Sequence, residues 1–353
     1  MYDVIIAGAS FAGLAVASQL NGYRVLLLDR KPLGTGQTSA CGTTFPLIEY
    51  WGLQDAVLQI HDRLILHTPG AAFSFPSPYP WCTFDYEVLC NSMYDRTSVD
   101  FIETTVKGVD GNRVMTSRGS YKGKFIIDAT GWRGALSTGV KREEPRAPMG
   151  LNFGMECMLP TAQVSGIDRS ALHFWYDREI LPGGVGWAFP RDGVVSVGVG
   201  SYGRSRALHE PISRMTGRLG GKPTGVHGTY FPYRLSDPIV ENVFTVGDAA
   251  GMCIALTGEG IRPAMFFGEA CGRIIRRGLE NGLTLDECLG EYSDFVRSRR
   301  KFFNVFTAAQ VILTRLPVRV VEWIAGTLSQ ERWRPWLFET YWGLTDPWEI
   351  GPA

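Results

Sequence analysis

The sequence predicts an α/β fold with two glycine-rich turns that are far apart in the chain. Residues 2–29 have the order strand, glycine-rich turn, helix and strand, which is typical of a parallel strand–helix–strand unit. Residues 243–268 repeat the order of a buried strand, a glycine-rich turn and a helix. Between them, residues 146–235 contain alternating segments that indicate an antiparallel sheet. Together these observations predict a discontinuous Rossmann-like domain with an interleaved antiparallel-sheet domain.

The first glycine-rich turn begins at Gly8, directly after an apolar strand. Gly8 suits a tight turn and Gly13 lets helix and strand pack closely, while the helix start points N–H groups at a phosphate. Ser10 replaces the middle glycine of this pattern, and its small side chain still admits a phosphate. Asp29 lies 21 residues after Gly8, close to the spacing of about 20 at which a carboxylate binds a ribose. Its charge disfavours a 2′-phosphate, although the neighbouring Arg30 opposes that selection.

Residues 53–145 continue the alternation of helices and strands. A turn at residues 111–112 separates two strands, and we include Val106, at the start of the first, among the cofactor contacts. The apolar residues 125–127 predict another buried strand, which delivers Asp128 and Gly131 to the nucleotide side. The remaining predicted elements are a helix over 53–60, strands over 64–67 and 72–75, a helix over 84–93 and a strand over 99–103.

The interleaved segment predicts strands at 172–176, 187–189 and 194–199, which we interpret as the floor of a substrate cavity. Residues 198–203 also fit the Gly-x-Gly-x-x-Gly pattern, but no acid follows at the required distance. We therefore interpret these glycines as positions where backbones approach closely at a strand end. Without a second dinucleotide domain, the chain does not resemble the glutathione reductase type.

The second glycine-rich turn places a carboxylate, Asp248, after Gly247 and before a helix start. Gly258, Gly260 and Ile261 continue this segment into the helix. The order again builds an anion-receiving site, because the first N–H groups of a helix have no partner inside it. A ligand that needs both sites, so far apart in sequence, is a dinucleotide such as FAD.

The C-terminal residues 291–353 predict helices rich in tryptophan. The apolar stretch 302–313 is only 12 residues long, whereas a bilayer core requires about 20. Residues 318–328 follow with an amphipathic pattern. Three interpretations stay open: a cap over a long apolar cavity, a surface that rests on a lipid interface, and an ordinary helical core. The tryptophans are Trp323, Trp333, Trp336, Trp342 and Trp348.

Composition agrees with a mid-sized enzyme. The chain has 353 residues, 45% of them hydrophobic, and a formal net charge of zero, so nothing favours nucleic acid as a partner. Seven scattered cysteines favour a reducing cytoplasm and make a metal site unexpected. Met1 precedes the first strand directly, so we expect no secretory leader. The expected location is the cytoplasm, with contact to the inner face of the membrane as an option.

Three segments, in this order, resemble the FAD signatures of the p-hydroxybenzoate hydroxylase superfamily: residues 8–13 with Asp29, residues 128–131 and residues 247–251. Within that superfamily, residues 40–42, 181–190 and 257–261 are similar to the geranylgeranyl reductase family. The resemblance covers most of residues 1–280. It implies an FAD-binding domain of residues 1–62, 84–145 and 236–290, a substrate domain of 63–83 and 146–235, and a helical cap of 291–353.

The resemblance also implies roles for cofactor contacts. Asp248 would hold ribityl or ribose hydroxyls, and Gly260 and Ile261 would direct N–H groups at the flavin, where the helix dipole favours the reduced, anionic form. The full set of expected cofactor-binding residues is Gly8, Ser10, Gly13, Asp29, Arg30, Cys41, Gly42, Val106, Asp128, Gly131, Gly247, Asp248, Gly258, Gly260 and Ile261, with no metal ligand.

Expected catalytic residues are Cys41, Trp187 and Phe189. The resemblance places Cys41 and Gly42 against the isoalloxazine and the two aromatic rings on the cavity wall facing it. Each has a structural alternative: a small buried cysteine in a turn, and a core aromatic pair on one face of a strand. Many family members carry an arginine that reaches the cofactor phosphates where this chain has Trp81. The negative charge of the cofactor phosphates must then be offset by Arg30, Lys31 or backbone amides.

The function implied is reduction of carbon–carbon double bonds in a prenyl chain of an isoprenoid lipid, with hydride from N5 of reduced FAD and electrons from NAD(P)H or ferredoxin. Orientation of the chain, and stabilisation of cationic character by aromatic faces, would carry catalysis. Cys41 or a bound water would give the proton. The alternatives are a flavin monooxygenase or halogenase of the same superfamily, and a non-catalytic electron-transfer flavoprotein. No histidine lies in a recognised motif.

Overall fold

The computed structural model describes residues 1–137, 150–202 and 207–350, and these form two eight-stranded sheets with helices around them. The strands are β1 (Tyr2–Ala7), β2 (Val25–Asp29), β3 (Gly42–Thr44), β4 (Val57–His67), β5 (Ala72–Phe84), β6 (Asp100–Glu103), β7 (Val106–Asp110), β8 (Arg113–Thr116), β9 (Gly119–Asp128), β10 (Leu151–Pro160), β11 (Ala171–Trp175), β12 (Gly184–Arg191), β13 (Val194–Ser201), β14 (His227–Pro232), β15 (Ile239–Val240) and β16 (Val243–Thr245). The α-helices are α1 (Phe11–Ser18), α2 (Phe45–Tyr50), α3 (Tyr86–Tyr94), α4 (His209–Arg218), α5 (Ile261–Asn281), α6 (Leu285–Leu313), α7 (Val318–Leu328) and α8 (Arg334–Trp342).

The first sheet has the strand order β15-β16-β9-β1-β2-β6, with the β7–β8 hairpin attached through β8 to β9. Strands β16, β9, β1, β2 and β6 run parallel. The central strands are apolar at consecutive positions because parallel sheets are covered on both faces. Ala7 pairs with Asp128, and Asp128 pairs with Thr245. The turns that follow these three strands therefore meet at one edge of the sheet.

Close packing of helices α1 and α5 brings the two glycine-rich turns together. A Cβ added to Gly268 of α5 would lie 2.6 Å from the carbonyl oxygen of Ala12 in α1. A Cβ at Gly272 would lie 2.7 Å from the carbonyl oxygen of Val16, one turn later. The absence of side chains at these two positions is what permits the contact, and it fixes both helix N-termini at the same sheet edge.

The second sheet has the order β14-β10-β13-β12-β11-β4-β5-β3, and its pairs are antiparallel except β11 with β4. Its two faces have different partners, as a period of two requires. Val195, Val197 and Val199 of β13 pack with Met215 of α4 in a core of their own. Side chains at alternate positions on the opposite face, such as Trp187 of β12, line a large cavity.

Helices α6, α7 and α8 cover this cavity from the side opposite the second sheet. The 29-residue helix α6 starts with a capping box, in which Thr284 and Glu287 exchange backbone-to-side-chain hydrogen bonds. At the start of α5, the buried Arg262 pairs with Glu259 at 2.9 Å and donates to the carbonyl of Trp342 in α8 at 2.9 Å. In the described ranges, no helix combines the length and the apolar character that crossing a membrane requires.

The predicted α/β fold class is confirmed, whereas two element predictions are corrected. The helix expected over 53–60 is wrong, because only residues 54–56 form a short 3₁₀ turn and Val57 begins β4. Its apolar residues belong to a strand that pairs with β5 along most of its length. The apolar stretch 302–313 is the second half of α6 rather than a helix of its own. Residues 138–149 and 203–206, which include the end of the 198–203 pattern, lie outside the described residues.

Candidate functional site

A cavity of about 1100 Å³ is lined by residues of both sheets. One end lies at the edge of the first sheet, where the two glycine-rich turns meet, and includes polar and charged side chains. The other end extends between the second sheet and the three C-terminal helices. This volume lies at the upper end of the range of about 300–1,000 Å³ that is usual for ligand pockets. The cavity thus joins a polar end at the first sheet to an apolar end beneath the C-terminal helices.

At the first turn, α1 begins at the cavity wall with Ser10 as its N-cap residue. The hydroxyl of Tyr86 donates to Ser10 Oγ at 2.9 Å, so the departure from glycine is accommodated by a hydrogen bond. Asp29 accepts from the backbone N–H of Ala9 at 2.8 Å and of Lys31 at 3.0 Å. The carboxylate thus ties the turn to β2 while it lines the cavity.

At the second turn, Asp248 lines the cavity close to the N-terminus of α5, where a Cβ added to Gly260 would lie 3.6 Å from Asp248 Oδ1. Burial raises the pKa of this carboxyl group to about 7, and among the described residues no cation opposes that rise. A carboxylate left without a cationic partner inside a cavity is suited to accept hydrogen bonds from ligand hydroxyls. Ile261 starts α5 beside it and also lines the cavity. Two helix N-termini and one receptive carboxylate at one edge fit a dinucleotide.

Cationic side chains stand at the same end of the cavity. Arg30 and Lys31 line it, as the sequence suggested, and so does Arg133, which the sequence did not single out. Lys31 Nζ donates to the carbonyl of Gly36 at 2.7 Å, and burial lowers the pKa of Lys31. Trp81, where the family resemblance led us to expect an arginine, lines the cavity and donates through Nε1 to Ser77. The signal for Arg133 was its place two residues after Gly131.

Cys41, just before β3, and Gly42, the first residue of β3, both line the cavity. Cys41 has a φ of 49°, a left-handed conformation that is rare for a residue other than glycine. Its thiol donates to the carbonyl of Ser39 at 3.4 Å, and burial raises the pKa of this thiol well above its usual range. The Phe189 ring packs on Gly42, where an added Cβ would lie 3.2 Å from two ring carbons. The thiol therefore keeps its proton at neutral pH.

Trp187 lies on a floor of glycines contributed by neighbouring strands. A Cβ at Gly198 would lie 2.1 Å from Trp187 Cζ2, and one at Gly154 would lie 3.6 Å from Trp187 Cη2. Gly198 and Gly200 of the 198–203 pattern thus make room for the indole ring, and Gly198 also lies close to the backbone of Met155. The indole N–H donates to Glu156 at 2.9 Å. The only sequence signal for Glu156 was an isolated acid in the apolar run of β10, and it was missed.

Two expected cofactor contacts do not line the cavity. Asp128 is fully buried and accepts from the backbone N–H groups of Thr130, Leu136 and Ser137. It holds the turn after β9 in shape from beneath. Gly13 lies below the first turn, where an added Cβ would sit 1.8 Å from the carbonyl oxygen of Gly8. The other expected residues line the cavity: Gly8, Ser10, Asp29, Arg30, Cys41, Gly42, Val106, Gly131, Trp187, Phe189, Gly247, Asp248, Gly258, Gly260 and Ile261.

The far end of the cavity is an apolar chamber. Its sheet wall carries aliphatic and aromatic side chains, and its opposite wall is formed by the three C-terminal helices. Tyr79 and Phe338 meet edge to face with ring centroids 5.7 Å apart, which joins β5 to α8. The helical residues that line the chamber are Phe306, Leu313, Val321, Ile324, Ala325, Leu328, Leu337, Phe338 and Tyr341.

The chain is similar to archaeal lipid reductases over most of its length. Digeranylgeranylglycerophospholipid reductase of Methanocaldococcus jannaschii is 24% identical over 323 residues, which cover 83% of this chain and 81% of that protein. Digeranylgeranylglycerophospholipid reductase 1 of Methanopyrus kandleri is 28% identical over 387 aligned positions, which cover 97% of this chain and all of that protein. No protein-family model matches the chain.

Solved structures share the fold. A geranylgeranyl bacteriochlorophyll reductase-like protein from Thermoplasma acidophilum superposes with a TM-score of 0.83 at 16% identity, covering 94% of this chain and 92% of that one. The flavin-dependent brominase Bmp2 superposes with a TM-score of 0.72 at 14% identity, covering 98% and 94%. In sequence the chain is thus similar to proteins named digeranylgeranylglycerophospholipid reductase, and in fold it is similar to a geranylgeranyl bacteriochlorophyll reductase-like protein.

Proposed function

We propose that this chain is an FAD-dependent reductase that saturates carbon–carbon double bonds in the prenyl chains of an isoprenoid lipid. The observation that carries the proposal is the continuity of one cavity from the two glycine-rich turns into an apolar chamber. A long hydrocarbon chain needs such a chamber, because each buried methylene contributes about 0.8 kcal/mol to binding. The sequence relatives named digeranylgeranylglycerophospholipid reductases support the same substrate class.

The residues at the sheet edge would hold FAD. The N-termini of α1 and α5 would offer N–H groups to the pyrophosphate and to the flavin, and Asp248 would accept from ribityl or ribose hydroxyls. Arg30 and Lys31 would offset the phosphate charge. When bound and reduced, FAD supplies the hydride for the alkene. The other proposed cofactor contacts are the expected cofactor-binding residues that line the cavity, as given above.

The chain's own residues would orient the hydrocarbon, exclude water and supply the proton. An isolated alkene has no carbonyl to polarise, so holding the hydrocarbon in one pose against the flavin is the main contribution expected. The apolar chamber would exclude water from the reacting carbons. The Cys41 thiol, which burial keeps protonated, would hold the proton that the second carbon receives. Trp187 and Phe189 would form the wall across from the flavin.

The direct test is product analysis. Protein reduced under anaerobic conditions is incubated with a digeranylgeranyl phospholipid, and the lipid is then examined by mass spectrometry. We expect a gain of two hydrogens for each double bond saturated. Rapid oxygen consumption with a small aromatic substrate, and an unchanged lipid, would instead favour a monooxygenase or halogenase. Parallel reactions with NAD(P)H and with reduced ferredoxin identify the donor.

We further propose that the cap touches the membrane that holds the substrate. Trp323 of α7 is 71% exposed and Trp348 is 70% exposed, whereas neighbouring side chains of α7 line the chamber. Tryptophan favours the interface between lipid and water. We expect the protein to cosediment with vesicles of anionic phospholipid, and the double substitution of Trp323 and Trp348 by Ser to weaken cosedimentation. Equal binding by both proteins would refute this contact.

A further inference from the structure

Glu156 is a buried acid in the middle of β10, and the mechanism above does not use it. Its side chain is only 5% exposed, and it reaches the cavity wall. One carboxylate oxygen accepts from Trp187 Nε1 at 2.9 Å. The other lies 4.0 Å from Arg191 Nη2 and 3.8 Å from His227 Nε2. Burying a carboxylate in a sheet costs several kcal/mol unless partners compensate it, so its place beside the cavity calls for a role.

The same acid connects two parts of the site. Arg191 is also buried, and its Nη2 donates to the carbonyl of Ala40 at 2.6 Å. Ala40 precedes Cys41, whose left-handed backbone must be held by its surroundings. A chain of contacts therefore runs from the Trp187 indole through Glu156 and Arg191 to the turn that carries the Cys41 thiol.

The Trp187 ring is fixed both at its face and at its edge. Its face rests on the backbone of Gly198, and its N–H is held by the carboxylate of Glu156. A carboxylate that accepts the indole proton draws it away from the nitrogen and enriches the electron density of the ring. The face of an electron-rich indole attracts positive charge more strongly than that of a phenyl ring.

We propose that Glu156 is a positioning residue that holds and polarises the Trp187 ring, so that its face stabilises the positive charge developing on the prenyl double bond. The inference rests on the proposed function. Arg191 completes the arrangement by keeping Trp187 in register with the Cys41 turn. Glu156 itself contacts neither the alkene nor the flavin in this account, and it acts through the indole.

The charge state of Glu156 sets a pH dependence. Burial raises its pKa, while Ser196, Arg191, Trp187 and His227 oppose that rise. The thiols of Cys41 and Cys157 also face this charge. Polarisation of the indole requires the ionised form. Hydride transfer should therefore speed up as pH rises through a pKa above that of an ordinary glutamate, and this step should vanish when Glu156 is replaced by Gln.

The kinetic experiment compares Glu156→Gln, Trp187→Phe and the double variant, each loaded with FAD and reduced. Gln keeps an acceptor for the indole N–H but removes the charge. We expect each single variant to transfer hydride to a prenyl lipid about tenfold more slowly, the size of a cation–π contribution in a dry site, with unchanged flavin content and KM. The double variant should be no slower than either single variant. Glu280→Gln, on the exposed face of α5, is the matched control and should be unaffected.

A spectroscopic readout tests the contact without turnover. In the holoprotein labelled with ¹⁵N-tryptophan, the Trp187 indole N–H resonance is assigned by its loss in Trp187→Phe. We expect it far downfield in the natural chain, shifted upfield in Glu156→Gln, and titrating with Glu156. A resonance that ignores both the substitution and pH overturns the inference. So does a natural hydride-transfer rate in Glu156→Gln while saturated lipid is still formed, whereas no saturated lipid from the natural chain refutes the proposed function itself.

Discussion

At the scale of single residues, cofactor binding depends on a carboxylate that is available to accept hydrogen bonds from ligand hydroxyls. Asp248 lines the cavity with a carboxyl group whose pKa burial raises to about 7. In contrast, Asp128 on the neighbouring strand is satisfied by three backbone N–H groups. The difference separates a carboxylate that is ready for a ligand from one that maintains a turn.

Asp248→Ala should purify with little or no flavin. The ligand hydroxyls donate to the charged carboxylate, so FAD binding favours deprotonation, and affinity should rise as pH increases through about 7. In the ligand-free chain the sign is opposite: a folded-state pKa above the unfolded value makes the fold lose stability as pH rises through about 7. Flavin titrations at several pH values measure both the loss of FAD binding in Asp248→Ala and the change of FAD affinity with pH in the natural chain. Full flavin content in Asp248→Ala would contradict the assignment, and Asp248→Asn should bind weakly without pH dependence.

Cys41→Ala should retain flavin but lose product by about 10²- to 10⁴-fold, the usual contribution of a positioned acid. Cys41→Ser should recover part of the activity because it restores an O–H donor. Cys271→Ala is the control, since Cys271 is buried outside the cavity lining. Lipid saturation per flavin, measured by mass spectrometry, gives the comparison. An undiminished yield from Cys41→Ala would leave a bound water as the proton source.

The sequence predicted the role of a residue where its type stands out from the apolar residues around it. The glycines in the turns before α1 and α5 and the acid at the end of β2 are of this kind, and they line the cavity. Gly13 and Asp128 match the same signatures but lie beneath the turns, because pattern spacing does not reveal which side of a turn faces the ligand. Glu156 was missed because its partners come from strands that are distant in sequence.

At the scale of elements, the crossing of α1 and α5 determines whether the two turns form one site. Gly268→Ala would place a Cβ 2.6 Å from the Ala12 carbonyl oxygen, and we expect a loss of about 1–3 kcal/mol in the free energy of unfolding. At Gly290 in α6 an added Cβ would meet no described atom within 4 Å outside the adjoining backbone, so Gly290→Ala should instead gain roughly 0.5–1 kcal/mol. Urea unfolding of both variants measures the difference. Equal stability of the two would contradict the close crossing.

Helix α7 presents one face to the chamber and another to solvent. Ala325 lines the chamber and is buried, whereas Trp323 is exposed. Ala325→Leu should shorten the space for hydrocarbon, and it should raise KM for long prenyl lipids without changing flavin content. Trp323→Ser should leave KM for a detergent-solubilised lipid unchanged. Steady-state kinetics with lipids of different chain length check both expectations, and an effect of the same size at both positions would argue against the chamber.

Element types were predictable where the apolar pattern was long and local, as for α7 and the central strands of the first sheet. The segment 53–60 was mispredicted because its apolar spacing suits a helix, while pairing with β5 decides the outcome. The length of β5, over Ala72–Phe84, was also underestimated because prolines interrupt its pattern. Long-range pairing of this kind leaves little trace in the local sequence.

At the scale of the whole molecule, one cavity requires contributions from both sheets and from the C-terminal helices. We retain as a proposal the division into an FAD-binding domain (1–62, 84–145 and 236–290), a substrate domain (63–83 and 146–235) and a cap (291–353). In this arrangement the chain passes several times from one sheet to the other. Both the cofactor end and the apolar chamber therefore depend on the folding of both sheets. Cofactor binding should therefore stabilise the entire fold.

We propose above all that the cavity places a prenyl chain directly against a reduced flavin. The most direct measurement is anaerobic reoxidation of the reduced holoprotein, followed through the yellow absorbance of oxidised flavin, after addition of a digeranylgeranyl phospholipid. A fully saturated lipid with the same headgroup is the matched control. We predict that the unsaturated lipid alone restores the yellow colour, with one double bond lost for each flavin reoxidised. Reoxidation that requires oxygen, or that proceeds equally with the saturated lipid, would contradict the account.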